Sequence, residues 1–326
     1  MQTQLDESIY LTCHGVPAKG TPPANPYFLL DPQGYWTLST GNWLHEIDEC
    51  CVGIHDALAA RIFGSMEIYF GLLRYAPDWI YTAGLDSESA LGKQDFEKLV
   101  QGSPSQELHK LLYLFDCRKL VSGIQETILE VVYFQGEFYR TLNLEDLFSP
   151  PSVIPDGLRH SSSPVTAKII SFINVIYIRL HSLLDYLVKL AFEVEHLRDN
   201  FQQYPRLASR SKLYGDRGKI SWNKKQGTLF EDTDIMAEIE TIRNLVIHDG
   251  ILDQRPKVYE SREGGVVVER YLLLPDRVEG RLVSSRNRNL FYSGEDKINL
   301  RLPEMLMEFQ ARTLASVSEI LAVLQT

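Results

Sequence analysis

Apolar residues recur at intervals of three and four over most of this chain, and strict alternation is confined to short stretches. That pattern predicts a mainly α protein with small β elements. Near the start, Tyr27 to Leu30 and Tyr35 to Leu38 are apolar and aromatic runs flanking Asp31-Pro32-Gln33-Gly34, a turn sequence, so a β-hairpin is expected. Helices are expected at roughly Trp43 to Arg61, Ile62 to Tyr75 and Ser105 to Leu142, the last broken near Gly123.

Farther on, a long amphipathic helix is expected from about Val165 to Leu197. Its buried stripe is Ile169, Ile173, Ile176, Leu180, Leu183, Leu187, Leu190, Val194 and Leu197, with Asn174, His181, Asp185, Lys189 and Glu193 on other positions. A weaker helical piece falls near Pro205 to Leu213. Another helix, Asp234 to His248, follows the acidic opening Glu231-Asp232-Thr233 and stops at Asp249-Gly250. Lys257 to Tyr259, Val266 to Leu274 and Arg281 to Ser284 read as an inserted hairpin or small sheet, turning at Glu263-Gly264-Gly265 and Glu279-Gly280. A last helix is expected over Pro303 to Leu324, with Pro303 in its first turn. Three strong helices and one weak one suit a four-helix bundle.

Proline, glycine and serine punctuate Phe148 to Pro164, so the expected organisation is an N-terminal domain over 1–150, a linker over 151–166 and a helical domain over 167–326. The 326 residues are 44% hydrophobic and 23% charged, enough for a substantial core. A net charge of −10 argues against a protein that coats nucleic acid generally, so any RNA contact must be local. Cys13, Cys50, Cys51 and Cys117 are few and irregularly spaced, which indicates neither a disulfide framework nor a zinc site and fits a reducing cytoplasm. The opening residues do not read as a signal peptide. The apolar stretch Ile169 to Phe192 carries Arg179, His181, Asp185 and Lys189, so it reads as a soluble helix rather than a membrane span.

His45, Glu46, Asp48, Glu49, His55 and Asp56 form a dense group of potential ligands, but their spacing matches no metal motif and they read as a solvated helix face. Phosphate-cradling, dinucleotide and nucleophile-elbow motifs are missing, so no cofactor is indicated. The segment that carries chemistry is Thr241-Ile242-Arg243-Asn244-Leu245-Val246-Ile247-His248-Asp249-Gly250, with a permanent cation, an amide and a titratable imidazole at a helix end. At about 100° per residue Asn244 and His248 share a face, while Arg243 lies roughly 140° from His248. The arginine must therefore reach around, or the last turn must unwind at Gly250. Breaking an RNA strand without metal needs a proton acceptor for the 2′-hydroxyl, a proton donor for the leaving oxygen, and fixed positive charge at the phosphate. One histidine and one arginine supply part of this, which makes two copies across a dimer attractive. The alternative is a capping histidine beside a surface arginine.

The segment resembles the signature of the HEPN superfamily (higher eukaryotes and prokaryotes nucleotide-binding domain): an arginine, a polar residue, then a histidine after four to six intervening positions. Arg179-Leu180-His181-Ser182-Leu183-Leu184-Asp185-Tyr186-Leu187-Val188-Lys189-Leu190 is similar to the first long helix of such domains, and the resemblance covers about Ala167 to Thr326. It implies a divergent member acting as a metal-independent endoribonuclease on single-stranded RNA at a composite homodimer site, in a toxin, defence or stress role. His248 would then be the acid or base, Arg243 the phosphate anchor and Asn244 the orienting group, with Asp185 a candidate accessory. Superfamily toxins that are adenylylated carry a tyrosine two residues after the histidine, where this chain has Gly250. A non-catalytic nucleotide- or RNA-binding or dimerisation module, serving a regulatory protein partner, is the alternative. Arg206, Arg210, Lys212, Arg217, Lys219, Lys224 and Lys225, interleaved with Tyr214 and Trp222, are the local positive patch that RNA contact would need, or else a solvated loop.

Overall fold

Most periodic apolar runs become helices, and one further helix, Lys93–Gly102, forms where none was expected. In the computed structural model, which describes residues 8–24, 26–102, 105–148, 155–210, 216–222, 224–249, 253 and 255–326, these are α1 (Leu44–Phe63), α2 (Met66–Leu73), α3 (Lys93–Gly102), α4 (Gln106–Leu144), α5 (Pro164–Glu195), α6 (Asp234–Asp249) and α7 (Ile298–Gln325). The protein is mainly α, with small antiparallel sheets. Strands β1 (Ile9–Thr12), β2 (Ala18–Lys19), β3 (Tyr27–Leu30) and β4 (Trp36–Leu38) form a sheet ordered β2-β1-β3-β4. The expected hairpin is its β3–β4 half. Its turn is held by the Asp31 carboxylate, which accepts from the amides of Gln33 and Tyr35, and by Gly34 at φ +91°.

Strands β5 (Gly157–Ser161), β6 (Val258–Glu263) and β7 (Val266–Tyr271) form a second sheet in that order, and β8 (Arg277–Val278) pairs with β9 (Arg281–Leu282). The expected linker is thus corrected in part. Residues 157–161 pair antiparallel with β6 from Gly157↔Arg262 to Ser161↔Val258, and Pro164 opens α5.

Two compact units interleave along the chain. Met1–Trp43, Thr127–His181 and Asp232–Ala311 make the first; Leu44–Glu126, Ser182–Glu231 and Arg312–Thr326 make the second. The expected split into 1–150 and 167–326 does not coincide with them. Helix α4 has 39 residues and α5 has 32, which at 1.5 Å per residue is about 58 and 48 Å. Helices of that length outrun one small domain, and α4, α5 and α7 each contribute one end to either unit.

In the first unit, the end of α4, the start of α5, α6 and the start of α7 supply four helices around Phe138, Tyr139, Ile173, Ile176, Ile239, Ile242, Leu302 and Phe309, all buried. The fourth helix is therefore half of α4. The expected piece near Pro205 to Leu213 is, among the described residues, only a single 3-10 turn at Ala208–Arg210 in the second unit. Pro303 also departs from expectation: α7 starts at Ile298, so the proline lies inside it. Without an amide hydrogen, Pro303 cannot bond the carbonyl of Asn299. The buried Tyr139 hydroxyl donates to that carbonyl instead, at 2.5 Å.

The second unit packs Ile47, Ile54, Leu58, Leu114, Leu187 and Ile320. Here α4 passes Gly123 unbroken. A Cβ on Gly123 would sit 2.9 Å from the Tyr186 ring, so the glycine makes room for an aromatic neighbour rather than a kink. Among the described residues α5 alone has the length and apolarity of a membrane span. Most of its expected stripe is fully buried, Val194 and Leu197 are half-buried, and Glu193, expected elsewhere, is fully buried too.

Candidate functional site

Helix α6 begins at Asp234, after Thr233, whose hydroxyl accepts from the Met236 amide, and runs without interruption through Asp249. Ile235, Met236, Ile239 and Ile242 bury one face of it. On that side Glu238, 2% exposed, accepts a hydrogen bond from the Tyr177 hydroxyl at 2.9 Å. The same carboxylate lies 3.7 Å from Arg277 and 3.5 Å from Arg301. Burial above all, then the Glu238 charge, raises the Tyr177 hydroxyl far above the ordinary tyrosine range, so it stays a donor. This cluster ties α5, β8 and α7 to α6 and fixes the rotation of the motif helix about its axis.

The opposite side of α6 is open. Ala237, Glu240, Thr241, Asn244, Leu245 and His248 line a cleft of about 540 Å³, closed on its other side by Arg281, Leu282, Ser284 and Asn289. The β8–β9 hairpin supplies that second wall. Glu279 and Gly280 both have positive φ, +50° and +74°, the geometry of a tight two-residue hairpin turn. A Cβ at Gly280 would lie 2.0 Å from the Asp234 carbonyl, so the hairpin backbone rests directly on the first turn of α6.

Asn244 and His248 are exposed one turn apart in this cleft, on the shared face expected from their spacing. Arg243 is half-exposed and is not among the cleft-lining residues; its guanidinium donates to the Asn244 side-chain oxygen at 2.9 Å. The arginine bonds its neighbour on the cleft side, and helix α6 stays wound as far as Asp249. Gly250 lies outside the described residues. Asp185 belongs to the second unit, where its side chain is half-buried, while the motif belongs to the first.

No family model, curated protein or solved structure matches this chain. The chemistry of the cleft therefore rests on its own side chains. Among the described residues it contains one imidazole, one carboxylate and one exposed guanidinium, from His248, Glu240 and Arg281. Glu240 precedes His248 by two helical turns, about 12 Å of axial rise, too far for the two to share one short proton path. Arg281, Glu240, Ser284 and Asn289 were not singled out from sequence. Glu279-Gly280 did signal the hairpin, but nothing local indicates that it lies along α6.

The positive segment sits in the second unit, on the stretch that follows α5. That stretch is pinned at several points. Glu193 accepts from the Tyr113 hydroxyl at 2.6 Å and from the amides of Ala208 and Ser209 at 3.1 and 2.8 Å. Glu195 accepts from Ser221, and the Ser316 hydroxyl accepts from the Leu229 amide at 2.9 Å. Between these anchors Arg206, Arg210, Lys219 and Lys224 are exposed, and Trp222 is half-buried with its ring edge-on to Phe230. Arg217 and Lys225 are half-buried, and Lys225 donates to the Arg217 carbonyl at 3.3 Å. Lys212 and Tyr214 lie outside the described residues.

Of the dense acidic and histidine group near the start of α1, His45 pairs with Glu49 and His55 with Asp56, both at 3.3 Å, and Gln125 donates to Asp48. Among the described residues, no three histidine, cysteine or carboxylate side chains converge as a metal site.

Proposed function

We propose that the chain is a metal-independent endoribonuclease of single-stranded RNA, with a site that two copies share and that uses Arg243, Asn244 and His248 from each. The observation that carries this is the exposure of Asn244 and His248 side by side in an open cleft, with the Arg243 guanidinium held by Asn244 and Arg281 on the facing wall. The first unit's four helices are then a divergent HEPN-like bundle, and the β8–β9 hairpin is an insertion that adds a second phosphate-facing cation.

The reaction is an in-line transfer. The 2′-oxygen forms a bond to phosphorus, the bond from phosphorus to the 5′-oxygen breaks, and a 2′,3′-cyclic phosphate and a 5′-hydroxyl result. A neutral His248 takes the 2′-proton and a protonated His248 gives one to the leaving oxygen. Because the described lining of one cleft holds a single imidazole, the second comes from another copy. Arg243 and Arg281 hold the phosphate charge that builds in the transition state. The exposed cations between Arg206 and Lys225 hold flanking RNA, local positive charge on an acidic chain. The chain works in the cytoplasm, in a toxin, defence or stress role, without a cofactor and without a membrane.

The test is cleavage of single-stranded RNA by purified protein with a chelator present, with the product ends identified. Cyclic-phosphate ends that disappear in His248→Ala support the proposal. Tight RNA binding with no cleavage at any protein concentration replaces it with a non-catalytic binding or dimerisation module, to which the acidic total charge and Gly250 also point.

A further inference from the structure

A second cleft, of about 320 Å³, lies wholly within the second unit and takes no part in the chemistry above. One wall is a single face of α4, where Arg118, Lys119, Ser122 and Gly123 fall within two turns. The guanidinium of Arg118 and the ammonium of Lys119 belong to exposed residues. Tyr81, from the 3-10 turn Asp78–Tyr81, forms a second wall and packs its ring on Phe115 at a centroid distance of 4.5 Å. Burial, and then the Asp78 charge, push the Tyr81 hydroxyl above its ordinary range, and the Arg118 charge opposes that rise. Tyr186 of α5 completes the cleft against Gly123, whose missing side chain leaves space for the ring.

Two adjacent cations beside two half-exposed tyrosine rings select a ligand with an anionic end and a flat aromatic end. Stacking on tyrosine tolerates any base, while cations on one helix face fit a phosphate. Glu126 and Asp86, exposed at the rim, are acceptors suited to sugar hydroxyls or an exocyclic amine. The volume is at the low end for small-molecule sites, about 300 to 1,000 Å³, which fits one nucleotide unit better than a polymer. We propose that this cleft binds a free nucleoside monophosphate, with the phosphate on Arg118 and Lys119 and the base against Tyr81 and Tyr186. It lies in the unit that lacks the α6 motif, and the proposal stands independently of the ribonuclease reading.

Calorimetric titration of the full chain with AMP, GMP, CMP, UMP and inorganic phosphate tests it. At least one mononucleotide should bind, and inorganic phosphate should bind about tenfold or more weakly, since a stacked base contributes that much. Charge reversal by Arg118→Glu with Lys119→Glu changes exposed residues only, so the fold, followed by melting temperature, should persist while affinity drops at least tenfold. No binding of any of the four mononucleotides at millimolar concentration overturns the proposal. So does binding that survives the double reversal, equal affinity for phosphate alone, or binding of RNA oligonucleotides without the free mononucleotides. Each of these outcomes can be read without any assay of RNA cleavage.

Discussion

The Arg243 guanidinium donates to the side-chain oxygen of Asn244 at 2.9 Å, and Asn244 stands one helical turn from His248 in the same cleft. That bond ties a cation that helix geometry sends to another side to the residue one turn before the imidazole. Asn244→Ala should release it and lower kcat about tenfold to a hundredfold, the scale of a misplaced catalytic group, with little change in stability. Single-turnover cleavage and a melting curve check both parts. Arg243→Lys should not rescue, since an ammonium has no planar fork to share between an amide and a phosphate.

Glu238 holds the buried side of the motif helix through Tyr177, Arg277 and Arg301. Removing the carboxylate leaves two arginines and a phenol without their shared partner. Glu238→Ala should cost about 3 to 5 kcal/mol in chemical denaturation, the range for breaking a buried charge pair. Tyr177→Phe removes one hydrogen bond and should cost about 1 to 3 kcal/mol.

Gly280 is pressed against the Asp234 carbonyl at positive φ, so Gly280→Ala is both strained and in collision. The hairpin should lift from α6, and Arg281 should leave the cleft with it. Faster proteolysis within residues 275–290, together with weaker RNA binding, is the expected result.

Burial pushes the thiols of Cys13 and Cys51 up to about 12, and that of the fully buried Cys117 well above the ordinary range. All four cysteines are free, and Cys50 is the one that is not buried. At pH 8 the three raised thiols are protonated as well as shielded. A thiol reagent should therefore modify one cysteine in the native protein and all four after denaturation.

Lys219 and Lys224 are exposed on the pinned basic stretch. Lys219→Glu with Lys224→Glu should weaken RNA binding and flatten its dependence on salt by a slope of about 1.4, two single-strand phosphate contacts. Unchanged affinity at low salt removes the stretch from the RNA path.

Periodicity revealed the long helices, because α1, α4, α5, α6 and α7 each bury a continuous apolar stripe that is visible locally; the short α3, with no buried residue, carries no such stripe and was not expected. The β3–β4 turn was equally legible through Asp31 and Gly34. What escaped were relationships set by distant packing. Gly123 looks like a helix breaker until Tyr186 lies against it, and Pro303 looks like a helix start until Tyr139 takes over the Asn299 carbonyl. The interleaved units could not be read from the proline-rich stretch, because β5 pairs with β6 about a hundred positions later. Within the candidate site, Asn244 and His248 were visible as a pair from their spacing of four. Arg281 was not, since no local pattern ties a hairpin to the helix it covers.

The shared site is tested most directly by the rate of RNA cleavage in chelator when wild-type chains are mixed with excess His248→Ala chains. Two imidazoles around one phosphodiester require that the variant alone lose about a hundredfold or more, and that its excess suppress the activity of each wild-type chain. Full activity of His248→Ala, or a wild-type rate unaffected by the excess, would contradict it.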